Sequence, residues 1–162
     1  MPSTSPASDL NRFIARYTPD VARHARGSLA RMRRRLPTAY QLVYDNYNGC
    51  GIGFGSTERA SDIIFSIVVY PRRVSLFFMR AMKSNLQDPQ KLLQGSGSLV
   101  RFIPLDSPAQ IDSAAVQRLM KQALVAAKVP FRRTGKGKLI IKSISARQRP
   151  RRPAPAKRSR RY

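Results

Sequence analysis

Carboxylates are scarce in this chain: eight Asp and Glu stand against 31 Lys and Arg in 162 residues, a formal net charge of +23. So lopsided a balance favours polyanionic partners, nucleic acid first and an anionic membrane surface after it. The acids are scattered one or two to an element, and nothing in their spacing supports the paired carboxylates of glycoside chemistry. A single cysteine, Cys50, excludes an internal disulfide framework and makes a reducing compartment, the cytoplasm, the expected setting. A single histidine, His24, lies between basic residues of a predicted helix with no second soft ligand beside it. That argues for an exposed surface position and against a zinc site or a Ser-His-Asp triad. No apolar run approaches the roughly 20 residues of a membrane span, and the start, MPSTSPASDL, lacks the basic-then-apolar order of a secretory signal.

What the sequence does have is a strand-rich centre. Residues 40–79 hold four runs of alternating or continuously apolar β-branched and aromatic residues, separated by Asn48-Gly49, by a Ser/Thr/Glu segment and by Pro71-Arg72-Arg73. This pattern predicts a β-meander. Gly51, Gly53 and Gly55 leave one face of the second strand bare, which suits close packing or the approach of a ligand. Before the meander, Ser8 or Asp9 is the predicted cap of a short helix running to about Arg16. Thr18-Pro19 then starts a longer helix, with Val21, Ala25, Leu29, Met32 and Leu36 on one face and Pro37 as its stop. The arginines at 31 and 33–35 read as a solvated helix face meeting the C-terminal dipole.

After the meander, Asp88-Pro89 is expected to open a short helix containing Leu92 and Leu93, and Val100 to Leu105 a fifth strand. Ser107 or Asp112 should cap a strong amphipathic helix that includes Val116, Leu119, Met120 and Ala123. The fold class that follows is α+β: a curved antiparallel sheet of about five or six strands, with N- and C-terminal helices packed on one face. The expected layout is a disordered N-terminus over 1–7, one domain over 8–127 extended by an edge strand near 139–144, and a disordered basic Arg/Pro tail over 146–162.

Charge concentrates at the C-terminal end. Residues 128–162 carry 14 basic residues and no acid, which leaves 17 basic and eight acidic residues, a net of +9, for everything before them. Arg147, Arg149, Arg151, Arg152, Lys157, Arg158, Arg160 and Arg161 are interleaved with prolines, a composition suited to extended, salt-sensitive phosphate contacts. These eight are the predicted nucleic-acid-binding residues. A second candidate, for a small ligand or anion, comprises Asp45, Gly53, Glu58, Gly95, Gly97 and Arg101. Asp45 is the odd carboxylate inside a strand, and Gly95-Ser96-Gly97-Ser98 precedes a strand rather than a helix, so it is not a phosphate loop of the Walker type. Cys50 reads as turn filler rather than a reactive thiolate. No catalytic residue, cofactor or metal site is expected.

The runs Leu36-Pro37, Tyr44-Asp45-Asn46-Tyr47, Gly51-Ile52-Gly53-Phe54, Tyr70-Pro71-Arg72, Leu92-Leu93-Gln94-Gly95-Ser96-Gly97 and Val100-Arg101-Phe102-Ile103 resemble the YdhG-like domain family of unknown function over roughly residues 8–127. The resemblance implies a small α+β domain similar in shape to frataxin, and with it an iron-chaperone role as an alternative function. Hard iron ions call for clustered oxygen ligands, whereas the acids here are dispersed under a positive field. Ser98 also departs from the Lys expected after the Gly-Ser-Gly run. The leading expectation is thus a non-enzymatic binding domain whose basic tail contacts nucleic acid or another polyanion; a small enzyme with a pocket at Asp45, Glu58 and Arg101 is the other alternative.

Overall fold

A computed structural model describes residues 4–154 of the protein. The chain runs α1 (Pro6–Ala15), α2 (Pro19–Arg35), β1 (Tyr40–Asp45), β2 (Cys50–Gly55), β3 (Ile63–Tyr70), β4 (Arg73–Phe78), α3 (Ala81–Ser84), β5 (Arg101–Leu105), α4 (Ala114–Ala126) and β6 (Leu139–Ile144), with 3-10 turns at Ala60–Asp62 and Pro108–Asp112. No helix among these residues is long and apolar enough to cross a membrane.

Both N-terminal helices start with the same device. Ser5 caps α1 and accepts a hydrogen bond from the Ser8 amide, Thr18 caps α2 and accepts from Val21, and proline fills the first helical position each time. Proline there lacks only a donor that the helix leaves unbonded anyway. The cap of α1 therefore lies three or four residues ahead of the expected Ser8 or Asp9. The expected helix at Asp88-Pro89 does not form. Lys91 takes a left-handed φ of 53°, and the Asp88 carboxylate instead accepts hydrogen bonds from the Leu92 and Leu93 amides, at 3.0 and 2.9 Å, holding an irregular loop. Similarly, Ser113 rather than Ser107 or Asp112 caps α4. Asp112 is taken by Arg31 and Arg35 of α2, each at 2.9 Å.

The six strands form one sheet in the order β5-β4-β3-β2-β1-β6. The predicted meander is present as four antiparallel neighbours. The predicted edge strand joins β1, but in parallel, so the sheet is mixed. Residues 127–138 carry the chain back to the start of β1, where the Gln41 amide donates to Lys138 O at 2.9 Å. Gly137 permits that return: a Cβ there would lie 2.1 Å from the Ala39 carbonyl oxygen.

The register puts Val43, Ile52, Ile67, Leu76 and Ile103 in one row across five strands. All are buried, on the face that packs against Phe13 and Ile14 of α1, Leu29 and Met32 of α2, and Val116 and Met120 of α4. Burying a large apolar side chain of this kind contributes about 1.5–3 kcal/mol, so this one-sided core is what holds the helices to the sheet. Asp45, two residues beyond Val43, falls on the same helix-facing side, at the end of the sheet where it pairs with Cys50.

His24 is half-buried on α2 rather than exposed, because α2 packs against the Pro108–Asp112 turn. Its buried Nε2 has no hydrogen-bond partner among the described residues. Burial, partly offset by the charge of Asp106, holds its pKa below the ordinary imidazole value. Both folded and unfolded chains carry a neutral His24 at pH well above about 6.5. As pH falls through that value the unfolded chain takes up the proton first, so stability declines until the folded form also titrates. Denaturant midpoints measured between pH 7.5 and pH 5 should therefore fall, and His24→Gln should flatten that decline.

Candidate polyanion interface

The site begins with Asp45. Only 1% of the Asp45 side chain is exposed, and a carboxylate at that depth is tolerated only when charge and hydrogen bonds compensate it. Two guanidinium groups and one amide do so. Arg16, from the end of α1, places Nη2 2.6 Å from Oδ2, and Arg151 places Nη2 3.0 Å from Oδ1. Gln148 Nε2 donates to Oδ2 at 3.1 Å and to the Asp45 carbonyl at 2.9 Å, and the Ser145 amide donates to that same carbonyl. Arg151 also donates to the carbonyls of Asn46 and Tyr47, and its guanidinium lies 5.8 Å from the centre of the Tyr17 ring. Tyr17 in turn donates its hydroxyl proton to Val69 O at 2.9 Å; its pKa is raised, mainly by burial.

Cys50 belongs to this cluster too, as the first residue of β2 and fully buried, not as turn filler. Burial, reinforced by the negative charge of Asp45, pushes its thiol up to about 12. A thiol so protonated is a poor nucleophile.

The expectation of a disordered tail from residue 146 is thus corrected for residues 146–154. Arg151 is 5% exposed and is a buried structural cation, not a phosphate contact. The physical reason is Asp45: the one carboxylate inside a strand needs a cation the body does not fully supply, and the tail brings it. Lys157, Arg158, Arg160 and Arg161 lie outside the described residues. Arg147 is exposed but stands apart from the cleft formed next to it in sequence.

That cleft is made by the docked segment. The Arg149 amide donates to Tyr47 O at 2.9 Å, and Arg152 Nε donates to Arg16 O at 3.2 Å. These contacts hold Arg149 and Arg152 opposite Arg72 and Arg73 of the β3–β4 turn, across a cavity of about 640 Å³ whose walls also include Tyr70 and Asn48. No carboxylate lines it, and none of the four arginines has a carboxylate partner among the described residues. Arg73 rests over the Tyr70 ring at 4.8 Å and Arg149 over Tyr47 at 5.4 Å. Stacking of this kind fixes a guanidinium while leaving its N–H edge open to an anion. Arg72 and Arg73 were visible in the sequence only as turn residues. A doublet of arginines at a hairpin tip was the available signal, and what it lacked was the partner wall 76 or more residues later.

The small-ligand candidate does not assemble. Asp45 pairs with Cys50, whereas Tyr40 pairs with Gly55 five residues away, a separation of about 16 Å along the strand. Glu58 lies beyond that far end, and Arg101, opposite Phe78, belongs to it as well. Gly53 is covered by the Ile63 side chain, since a Cβ on it would sit 2.7 Å from Ile63 Cδ1; this glycine serves packing. Gly95, Gly97 and Arg101 do meet, but the Arg101 guanidinium donates to the carbonyls of Gly97 and Val100, at 2.6 and 2.8 Å. Its charge thus goes to the turn's own oxygens.

Removing one partner of the Asp45–Arg151 pair leaves the other charge buried and uncompensated. Arg151→Ala and Asp45→Ala should each lower the unfolding free energy by about 3–5 kcal/mol. Arg16→Ala, whose side chain is 45% exposed, should cost clearly less in the same urea titrations. No family model, curated protein or solved structure matches the chain.

Proposed function

We propose that this protein is a non-enzymatic binding domain for a polyanion, nucleic acid in particular, with the cleft between the β3–β4 turn and residues 149–154 as its folded contact. One observation carries the reading: Arg72, Arg73, Arg149 and Arg152 converge on a cleft that no carboxylate lines. Four guanidiniums without counter-charge at one place raise the local potential, and phosphate oxygens suit their planar N–H forks. Lys157, Arg158, Arg160 and Arg161, later in the sequence, add four further positive charges with no acid among them. A reducing compartment such as the cytoplasm suits the lone buried thiol.

The frataxin-like alternative finds less support. The described residues contain no group of three or more His, Cys, Asp or Glu that could hold a metal ion, and the deepest carboxylate, Asp45, is already bound by two arginines. For the enzyme alternative, the separation of Asp45 from Glu58 and Arg101 leaves no shared pocket in which acid and base reach one substrate.

Salt titration tests the proposal. With a labelled DNA duplex, log K should fall linearly with log salt at a slope of about −0.9 per phosphate contacted. A variant carrying Arg72→Gln, Arg73→Gln, Arg149→Gln and Arg152→Gln should bind more weakly at every salt concentration, with a slope shallower by about two to four. Wild-type affinity and slope in that variant, with loss only on deletion after residue 154, would place the contact in the tail alone and remove the cleft from the account.

A further inference from the structure

Helices cover only one face of the sheet. By the alternation and register of the strands, the opposite face carries Tyr40 and Tyr44 from β1, Tyr70 from β3, Phe77 from β4 and Phe102 from β5. None of these five belongs to the core cluster and each is half-buried, while Leu42, Ser66 and Ser75 between them on the same face are buried. Phe77 and Phe102 stack on one another at 5.1 Å with their planes 19° apart, and the backbone of Gln94 pairs with Phe102 along the outer edge. Tyr44 stands opposite Gly51. Unlike at Gly53, a Cβ at Gly51 would fit without a clash, at ordinary contact distance from Tyr44 O (3.9 Å) and Val68 Cγ2 (4.0 Å). A side chain could be accommodated, so the glycine is not demanded by packing, and its absence of side chain leaves the flank of Tyr44 uncovered.

Cations stand at both ends of this face. At one end Arg73 stacks on Tyr70 within the arginine cleft. At the other, Arg132 lies over Tyr40 at 5.6 Å, with Arg133 next to it in the chain, and neither has a carboxylate partner among the described residues. The length of β1 between the two ends is about 16 Å. An apolar partner surface would match the rings but not the positive ends. A chain of phosphates carrying flat bases matches both.

We infer that this helix-free face is a base-stacking platform for single-stranded nucleic acid, running across the sheet from Tyr40 and Tyr44 on β1 to Phe77 and Phe102 on β4 and β5, with Arg73 and Arg132 at the two ends of the strands to hold its phosphates. The inference rests on the arginine cleft being a phosphate site and adds what the cleft alone would not give: a preference for single strands. Base-paired duplex keeps its base faces inside the helix and can use only the arginines; a single strand offers its bases to Tyr44, Phe77 and Phe102 as well. Stacking tolerates any base, so the preference is for strandedness and not for sequence.

Three probes at one ionic strength separate the two readings in the full-length protein: a mixed-sequence RNA single strand, a duplex with the same number of phosphates, and heparin, a polyanion without bases. The single strand should bind about tenfold or more tighter than the duplex and should quench tyrosine fluorescence, which heparin leaves unchanged. Tyr44→Leu and Phe102→Leu keep apolar bulk but remove the ring. Each should weaken single-strand binding about tenfold and leave heparin binding and the thermal midpoint near wild type. Equal binding of single strand and duplex, with both leucine variants neutral, overturns the platform while the cleft stands. Failure of all three probes to bind overturns the cleft and the platform together.

Discussion

One buried carboxylate organises the functional end of this molecule. Asp45 sits on the helix-facing side of the last residue of β1, 1% exposed, and a lone ion there would be severely destabilising. Its compensation comes from two distant parts of the chain, Arg16 at the end of α1 and Arg151 beyond β6. The pair therefore closes a loop of more than 100 residues and converts a segment of low-complexity composition into part of the folded body. With Arg151 seated, the Arg149 amide bonds to Tyr47 O and Arg152 Nε to Arg16 O, and both residues stand in the wall of the cleft.

Scarcity of acid explains the distribution of charge. Asp45 and Asp112 each bind two arginines, and both join elements far apart in sequence. These two acids thus act as joints, while Arg72, Arg73, Arg149 and Arg152 share a cleft that no carboxylate lines. Concentrating like charges costs stability through self-repulsion. Here that cost falls at a cleft of turn and tail residues, away from the one-sided apolar core that supplies the favourable term.

Much of the architecture was readable from residue pattern alone. The alternation over 40–79 announced the four antiparallel strands, Thr18-Pro19 announced α2, and the apolar stripe from Val116 to Ala123 announced α4. The errors have physical causes. Asp88 resembles a helix cap, but it bonds its amides from a loop that Lys91 prevents from becoming helical. The glycines of β2 look alike in sequence, yet a side chain at Gly53 would clash with Ile63 and one at Gly51 would not, a distinction that depends on a residue ten positions away. The tail's Pro and Arg content led to the expectation that it builds no core of its own. What composition could not show is that the oddly placed Asp45 needed one of those arginines.

The cleft exists in solution only if residues 145–154 are docked there. Amide hydrogen exchange measures this directly, because the Ser145 amide is bonded to Asp45 O and the Arg149 amide to Tyr47 O. Both amides should exchange well below their unstructured rates, and both should lose that protection in Asp45→Asn while the β2 and β3 amides keep theirs. Exchange at unstructured rates in the wild-type protein would contradict the account: the tail would be undocked, and the cleft it forms with Arg72 and Arg73 would not exist.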